Sequence, residues 1–285
     1  MKNVFIIGGG PAGVSAALYT SRAGVETFII SKDKGALAKA EKIENYYGLE
    51  KPIKGSELVE IGINQAKKIG ATLIDDEVIG LSYENNFVIE TKNTKYNADA
   101  LIIATGSSRA KPKITGLKEY EGKGVSFCAV CDAFFYRNKD VAVLGNSDYA
   151  IHEAQTLIQT SKSVTILTNG EKMLAKVPEN ISVDTRKIKS IEGKDEVISH
   201  ILFEDMSILD LSGLFIAVGI AGSGDLARKI GAEADEKKII IDANMCTSIP
   251  GLFAAGDCTG GLQQICKAVY EGGKAGLEAV KFLKK

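Results

Sequence analysis

Asn3-Val-Phe-Ile-Ile-Gly8-Gly-Gly10-Pro-Ala-Gly13 opens the chain, and its reading decides the fold. Asn3–Ile7 is a continuous apolar run of strand type. Residues 16–23 carry helical periodicity and Thr27–Ile30 is again a strand, so about 30 residues make one β-α-β unit. Between strand and helix lies Gly8-x-Gly10-x-x-Gly13. Gly8 permits the tight turn, Gly10 lets the backbone approach a pyrophosphate, and Gly13 allows close strand–helix packing. The phosphates meet the helix N-terminus at Pro11 and Ala12. The acid usually expected at the end of the second strand is replaced by Ser31, with Asp33 two places on. Ribose binding then falls to Ser31 or to backbone groups.

The same plan is used a second time. Val141–Leu144 is a short buried strand, a helix follows from about Tyr149 to Thr160, and Val164–Leu167 is the next strand. Before it, residues 56–70 read as an amphipathic helix and 71–103 as strands separated by Asn-rich turns. Arg109–Gly116 is a basic, Pro-containing linker. After it, Leu214–Val218 and Ile239–Ile241 add strands ahead of Gly251-Leu-Phe-Ala-Ala-Gly-Asp257. A helix of about 20 residues ends the pattern, with small and apolar positions at spacings of three and four. The expected fold is α/β, with two Rossmann-like, three-layer nucleotide-binding domains, the second inserted into the first. Residues 1–110 and 238–285 form one and 111–237 the other.

Composition removes several classes of function. With 35 basic against 36 acidic residues in 285, the charge balance gives no footprint for nucleic acid. No run reaches the roughly 20 apolar residues of a membrane span. Gly8–Gly13 interrupts the one early apolar stretch, and no small-residue cleavage site follows it. A cytoplasmic protein without membrane or nucleic-acid partners is expected. Five cysteines do not make a disulfide framework at this length. Cys246, Cys258 and Cys266 are scattered singly, with buried small apolar positions as their default reading. The two histidines, His152 and His200, complete no tetrahedral ligand set, so no metal is expected.

Cys128-Ala-Val-Cys131-Asp132 carries the chemistry. A C-x-x-C is half a zinc site, a coincidence or a redox pair, and the missing second ligand pair favours redox. The thiolate is the reactive form, and this spacing lowers thiol pKa values. Asp132 reads as general acid or base for the leaving thiolate and also as a helix N-cap; the two roles are compatible.

Together these segments resemble the low-molecular-weight thioredoxin reductases over nearly the whole chain. Gly8–Gly13, Glu44-Asn45 before Gly48, Ala104-Thr105-Gly106, Gly124 through Asp132, and Gly256-Asp257 through Gln264 fall in the family's order. The resemblance implies FAD at the first glycine loop, held also by Asn45, Thr105, Gly106, Gly256, Asp257, Gln264 and Ile265. It implies a homodimer, thioredoxin as partner, Cys131 against the flavin and Cys128 as the thiol that attacks thioredoxin.

Two departures bear on the electron donor. NADPH-using members carry Gly-Gly-Gly-Asp-Ser-Ala where this chain has Gly145-Asn-Ser-Asp-Tyr-Ala150. They also carry His-Arg-Arg after the following strand, where this chain has Thr168-Asn-Gly170. Both losses point away from NADPH, and the chain is most similar to the ferredoxin-linked, pyridine-nucleotide-independent members. Lys111, Lys113, Lys118 and Lys123 are candidate docking cations for ferredoxin. A low-potential ferredoxin at about −400 mV lies roughly 130 mV below thioredoxin, on the order of 6 kcal/mol for two electrons. Nicotinamide is therefore not needed thermodynamically. The competing readings are an NADPH-dependent reductase with an atypical pocket, a flavin dithiol oxidase that uses oxygen, and a flavin-binding protein without turnover.

Overall fold

A computed structural model of the chain describes residues 2–106, 112–219, 222–235 and 238–285. Lys111 and the start of the expected linker lie outside them. The elements run β1 (Asn3–Ile7), α1 (Pro11–Arg22), β2 (Glu26–Ile30), α2 (Gly55–Lys68), β3 (Thr72–Ile74), β4 (Val78–Tyr83), β5 (Phe87–Thr91), β6 (Lys95–Ala98) and β7 (Ala100–Ile103). Then come β8 (Val125–Ser126), α3 (Ala129–Asp132), β9 (Asp140–Leu144), α4 (Asp148–Ile158), β10 (Ser163–Leu167) and β11 (Ser182–Asp184). They are followed by β12 (Ile188–Lys194), β13 (Val197–Phe203), β14 (Ile208–Asp210) and β15 (Gly213–Ile216). The last are α5 (Ser223–Lys229), β16 (Leu252–Ala254) and α6 (Ile265–Leu283).

The chain divides into two compact units, Met1–Arg109 with Gly222–Lys285, and Ala110–Ala221. The chain returns to the first unit at Gly222, a helix earlier than the expected 238. The reason is α5, which packs on β4 and sends Lys229 Nζ to the Ile79 carbonyl at 3.3 Å.

In the first unit a parallel sheet has the order β16-β7-β1-β2-β3. The strands are apolar on both faces because both are covered. On one face α1 and α6 meet the sheet, bringing Ala16, Ala17, Ala275 and Ala279 into one core with Val4, Ile6 and Ile102. The helices cross closely because Gly272 offers no Cβ; one built there would lie 2.0 Å from the Ala12 carbonyl oxygen. On the other face Phe5 packs against Tyr96 of the antiparallel sheet β4-β5-β6, the rings tilted at 39° with centroids 5.3 Å apart. Three layers result. The expected strand at Ile239–Ile241 is absent: a single bridge joins Ile239 to Ala234, and Ile240 is exposed.

The second unit repeats the plan, with a parallel sheet in the order β11-β10-β9-β15-β8 and an antiparallel sheet β12-β13-β14. Leu144, Leu167 and Leu214 from the first share a core with Ile191, Ile201 and Phe203 from the second. The chain is thus an α/β protein of two Rossmann-like, three-layer domains, the second inserted into the first.

Candidate active site

In the first sheet the order reverses at β1, which pairs β2 on one side and β7 on the other. Ligands of open parallel sheets bind at such a switch point. The three glycines there do different work. A Cβ on Gly8 would lie 2.3 Å from the Ala104 oxygen, and one on Gly13 would lie 1.9 Å from the Gly8 oxygen. Gly10 has no atom within 4 Å of its would-be Cβ. Packing therefore requires Gly8 and Gly13, while Gly10 leaves its backbone bare at the start of α1. Pro11 and Ala12 follow as the first helical residues, with no side chain capping the helix. Ser31 accepts the Gly9 N–H at 3.2 Å and donates to the Asp33 carbonyl at 2.8 Å, so it fixes the loop from beneath.

At the end of β7 the Thr105 hydroxyl is buried with no partner among the described residues, and Gly106 turns at a φ of 78°. Gly256, with a φ of 88°, begins the turn that carries Asp257. Glu271 Oε2 clamps that turn, accepting Gly256 N–H at 2.8 Å, Thr259 Oγ1 at 2.8 Å and Lys267 Nζ at 3.1 Å. Burial pushes the Asp257 carboxyl above the usual range, opposed in part by Lys267. Gln264 precedes Ile265 at the N-terminus of α6, and its Oε1 accepts Asn45 Nδ2 at 3.2 Å across 219 residues of sequence. No acid occupies the first turn of α6, and no side chain caps it. The bare glycine backbone, the orphaned Thr105 hydroxyl and two uncapped helix starts are what a large anionic dinucleotide requires. The residues fit FAD.

In the second unit Cys128 and Cys131 form a disulfide with a Cα–Cα distance of 5.3 Å. Cys128 N-caps the short helix α3, its sulfur accepting the Cys131 N–H at 3.2 Å. Cys128 is 4% exposed, whereas Cys131 is on the surface. Asp132 is not a side-chain cap; its Oδ2 accepts Ser126 Oγ at 2.7 Å, and Ser126 in turn accepts the Cys128 N–H at 3.1 Å. The correction has a simple cause. The cap position falls on the first cysteine, leaving the aspartate at the far end of the turn with its carboxylate near the dithiol. Tyr136, just beyond, has its phenol pushed up by burial and by Asp132. Next to the disulfide, Phe134 and Phe135 are 72% and 66% exposed, and Val130 is exposed too.

The second switch point lies at β9, between β10 and β15. Gly145 repeats Gly8: its Cβ would lie 2.2 Å from the Ala217 oxygen. Where the first loop has a bare glycine, this one has Ser147, whose Oγ donates to the Gly219 carbonyl at 2.6 Å instead of capping α4. Asn146 Nδ2 donates to the Lys172 carbonyl at 3.1 Å, and its own carbonyl accepts Leu174 N–H at 2.8 Å. Tyr149 is buried. Beyond β10, Asn169 Oδ1 accepts the Ile188 N–H at 2.7 Å, and the stem of Lys187 lies on Gly170. Arg186 spends its guanidinium on Asp184 and Ser207 and stacks over Phe203.

Sequence reasoning missed three of these residues. Glu153, 1% exposed, accepts the Ala129 N–H of the dithiol helix at 2.8 Å. Glu271 and Lys267 clamp the Gly256 turn. The available signal was a charge at a helical position whose neighbours three and four residues away are small and apolar, as with Ala150 and Leu157 around Glu153.

Comparison with known proteins agrees with this geometry. The family described as pyridine nucleotide-disulphide oxidoreductase matches residues 2–272. Thioredoxin reductase from Aquifex aeolicus (strain VF5) is 34% identical, over 99% of this chain and 93% of its own length. The crystal structure of the atypical thioredoxin reductase TRi from Desulfovibrio vulgaris Hildenborough is 42% identical with a TM-score of 0.94, covering 100% of this chain and 98% of that one. A ferredoxin-flavin thioredoxin reductase from Clostridium acetobutylicum is 29% identical with a TM-score of 0.72, over 99% and 98%. The chain belongs to the pyridine nucleotide-disulphide oxidoreductases. Within them it is a member of the thioredoxin reductase group, whose enzymes are FAD-dependent flavoprotein disulfide reductases. Identity does not place it nearest the ferredoxin-linked enzymes.

Proposed function

We propose that the chain reduces the disulfide of thioredoxin through Cys128, Cys131 and Asp132, with FAD in the first unit and electrons from ferredoxin rather than NADPH. The observation that carries the choice of donor is the second switch point. Ser147 and Asn146 put side chains where a pyrophosphate needs bare backbone, and both are tied down by hydrogen bonds to neighbouring loops. No arginine lies in the Thr168–Gly170 loop after β10 to receive a 2′-phosphate, and Arg186, further on, is spent on Asp184 and Ser207.

FAD would be held by Gly8, Gly10, Pro11, Ala12, Gly13, Ser31, Asn45, Thr105, Gly106, Gly256, Asp257, Gln264 and Ile265, and when bound it exchanges electrons singly or in pairs. The rest is thiol chemistry. With the Cys128–Cys131 bond reduced, the Cys128 thiolate attacks one sulfur of the thioredoxin disulfide and forms a mixed disulfide with it, while the other thioredoxin sulfur leaves as a thiolate and takes a proton from Asp132. Cys131 then attacks Cys128, restoring the disulfide and releasing reduced thioredoxin. Exposed Phe134 and Phe135 beside the dithiol support an apolar docking surface for thioredoxin. Because Cys128 is the buried sulfur of this oxidised form, its attack requires it to be uncovered. Trapping tests the order: Cys131→Ser accumulates the mixed disulfide with thioredoxin, and Cys128→Ser does not. The reverse pattern exchanges the two roles. Asp132→Asn lowers thioredoxin turnover about 100-fold with flavin content unchanged.

An exposed stripe of Tyr19, Tyr270 and Leu277 on α1 and α6 supports a homodimer. Lys113, Lys118 and Lys123 remain the candidate ferredoxin contacts, and Lys123 already pairs with Glu196 at 3.0 Å. Among the described residues no helix is long and apolar enough to cross a membrane. A cytoplasmic site of action accords with the unpaired Cys246, Cys258 and Cys266. The test is steady-state thioredoxin reduction under argon. Reduced ferredoxin is expected to sustain turnover and NADPH is not; turnover with NADPH alone overturns the assignment of donor.

A further inference from the structure

Glu153 lies on α4, is buried, and gives Oε2 to the Ala129 N–H at 2.8 Å. Ala129 is the first residue of the dithiol helix, directly after Cys128. N–H groups at a helix start stabilise a nearby thiolate, and that is one way C-x-x-C thiols become acidic. Here the first of them is taken by a carboxylate from another element. We infer that Glu153 is a positioning residue that fixes the start of α3 and, by its negative charge, keeps the Cys128–Cys131 pair strongly reducing.

The sign follows from which state is stabilised. Stabilising the thiolate favours the dithiol and makes the pair a better oxidant. A carboxylate beside the same turn opposes the thiolate and pushes the pair the other way, toward giving its electrons to thioredoxin. Other titratable groups face this turn from each neighbouring element: Asp132 from the turn itself, Tyr136 after it, and His152 from α4. His152 Nδ1 stands 3.4 Å from Glu153 Oε1, and β8 contributes the Ser126 hydroxyl.

The inference rests on Cys128 and Cys131 being the redox pair, and the test separates the two. The holoenzyme is equilibrated anaerobically with reduced and oxidised dithiothreitol, and its thiols are counted by alkylation and mass. In the exchange the buffer thiols lose two electrons and two protons and close their own S–S bond, while the Cys128–Cys131 bond opens. A native protein whose pair never opens in this buffer defeats the redox assignment itself. Glu153→Gln keeps an acceptor for Ala129 N–H and removes the charge. It is expected to shift the equilibrium toward dithiol about tenfold, or about 30 mV, and to lower the pKa of the more acidic thiol by about one unit. Glu153→Asp keeps the charge one methylene further back and is expected to give a smaller shift in the same direction, which also serves if the glutamine variant does not fold. Equilibrium and thiol pKa unchanged from the native protein in the folded variants would leave Glu153 a structural cap alone and overturn the inference.

Discussion

The two glycine loops share their first glycine and part at the later ones, where Gly10 and Gly13 are matched by Ser147 and Ala150. Each sits at a reversal of strand order, and each begins with a glycine pressed against a backbone oxygen of the neighbouring strand end, Gly8 on Ala104 and Gly145 on Ala217. Two residues on, the loops part. Gly10 faces open space, while Ser147 carries a side chain bonded to Gly219. The first packing glycine is present in both loops, the second is Ala150 in the later loop, and the bare glycine that a pyrophosphate requires is present only in the first.

The comparison breaks most visibly at the packing glycines. Gly8→Ala and Gly145→Ala each force a Cβ onto backbone and are expected to cost about 3 kcal/mol, read from urea unfolding of the flavin-free chain. Gly8→Ala should cost more, because its φ of 115° also strains an alanine. A tolerant Gly145→Ala would mean that its loop is not held as described.

Gly10→Val sharpens the contrast. Its side chain meets nothing in the protein, so the fold should hold while FAD affinity falls about 100-fold, measured as flavin retained per chain. The matching Ser147→Val should leave flavin content unchanged and lose about 1 kcal/mol of stability with the hydroxyl's bond.

How far these loops were legible in sequence follows from what each residue answers to. Strands β1 and β9 were readable to within a residue, because short apolar runs ended by glycine leave little choice. Helix α1 starts at Pro11, ahead of its visible periodicity, because its first turn is shaped by contact with Gly8 and not by an apolar stripe. Ile239–Ile241 looks like a strand, yet among the described residues it pairs only through the bridge of Ile239 to Ala234. The sheet β12-β13-β14 went unread, since bulges near Ser190 and Gly193 break the alternation that would announce it. Glu153 and Glu271 were invisible as site residues: a side chain's type does not reveal a partner that arrives from another element. Asn45 and Gln264 came only from the family resemblance, and the structure joins them.

The smallest expected effect concerns the acid of the intact site. Burial raises the Asp257 carboxyl, so the folded chain holds that proton more tightly than the unfolded chain does. Its stabilising contribution is full below about pH 3.9 and is lost as pH rises through the raised value. At pH 7 Asp257→Asn should therefore raise the melting temperature of the flavin-free chain by about 1 °C, kept small by solvent screening, and change nothing below pH 3.9. The same variant should hold FAD less tightly, separating the residue's cost to the fold from its use to the ligand.

The central claim is that the first loop is a working nucleotide site and the second is not. The direct measurement is anaerobic titration of the yellow holoenzyme, following the flavin band near ~450 nm as NADPH, then NADH, then reduced ferredoxin is added. Bleaching only by ferredoxin is the predicted result. Rapid bleaching by NADPH would contradict it and return the chain to the nicotinamide-dependent thioredoxin reductases.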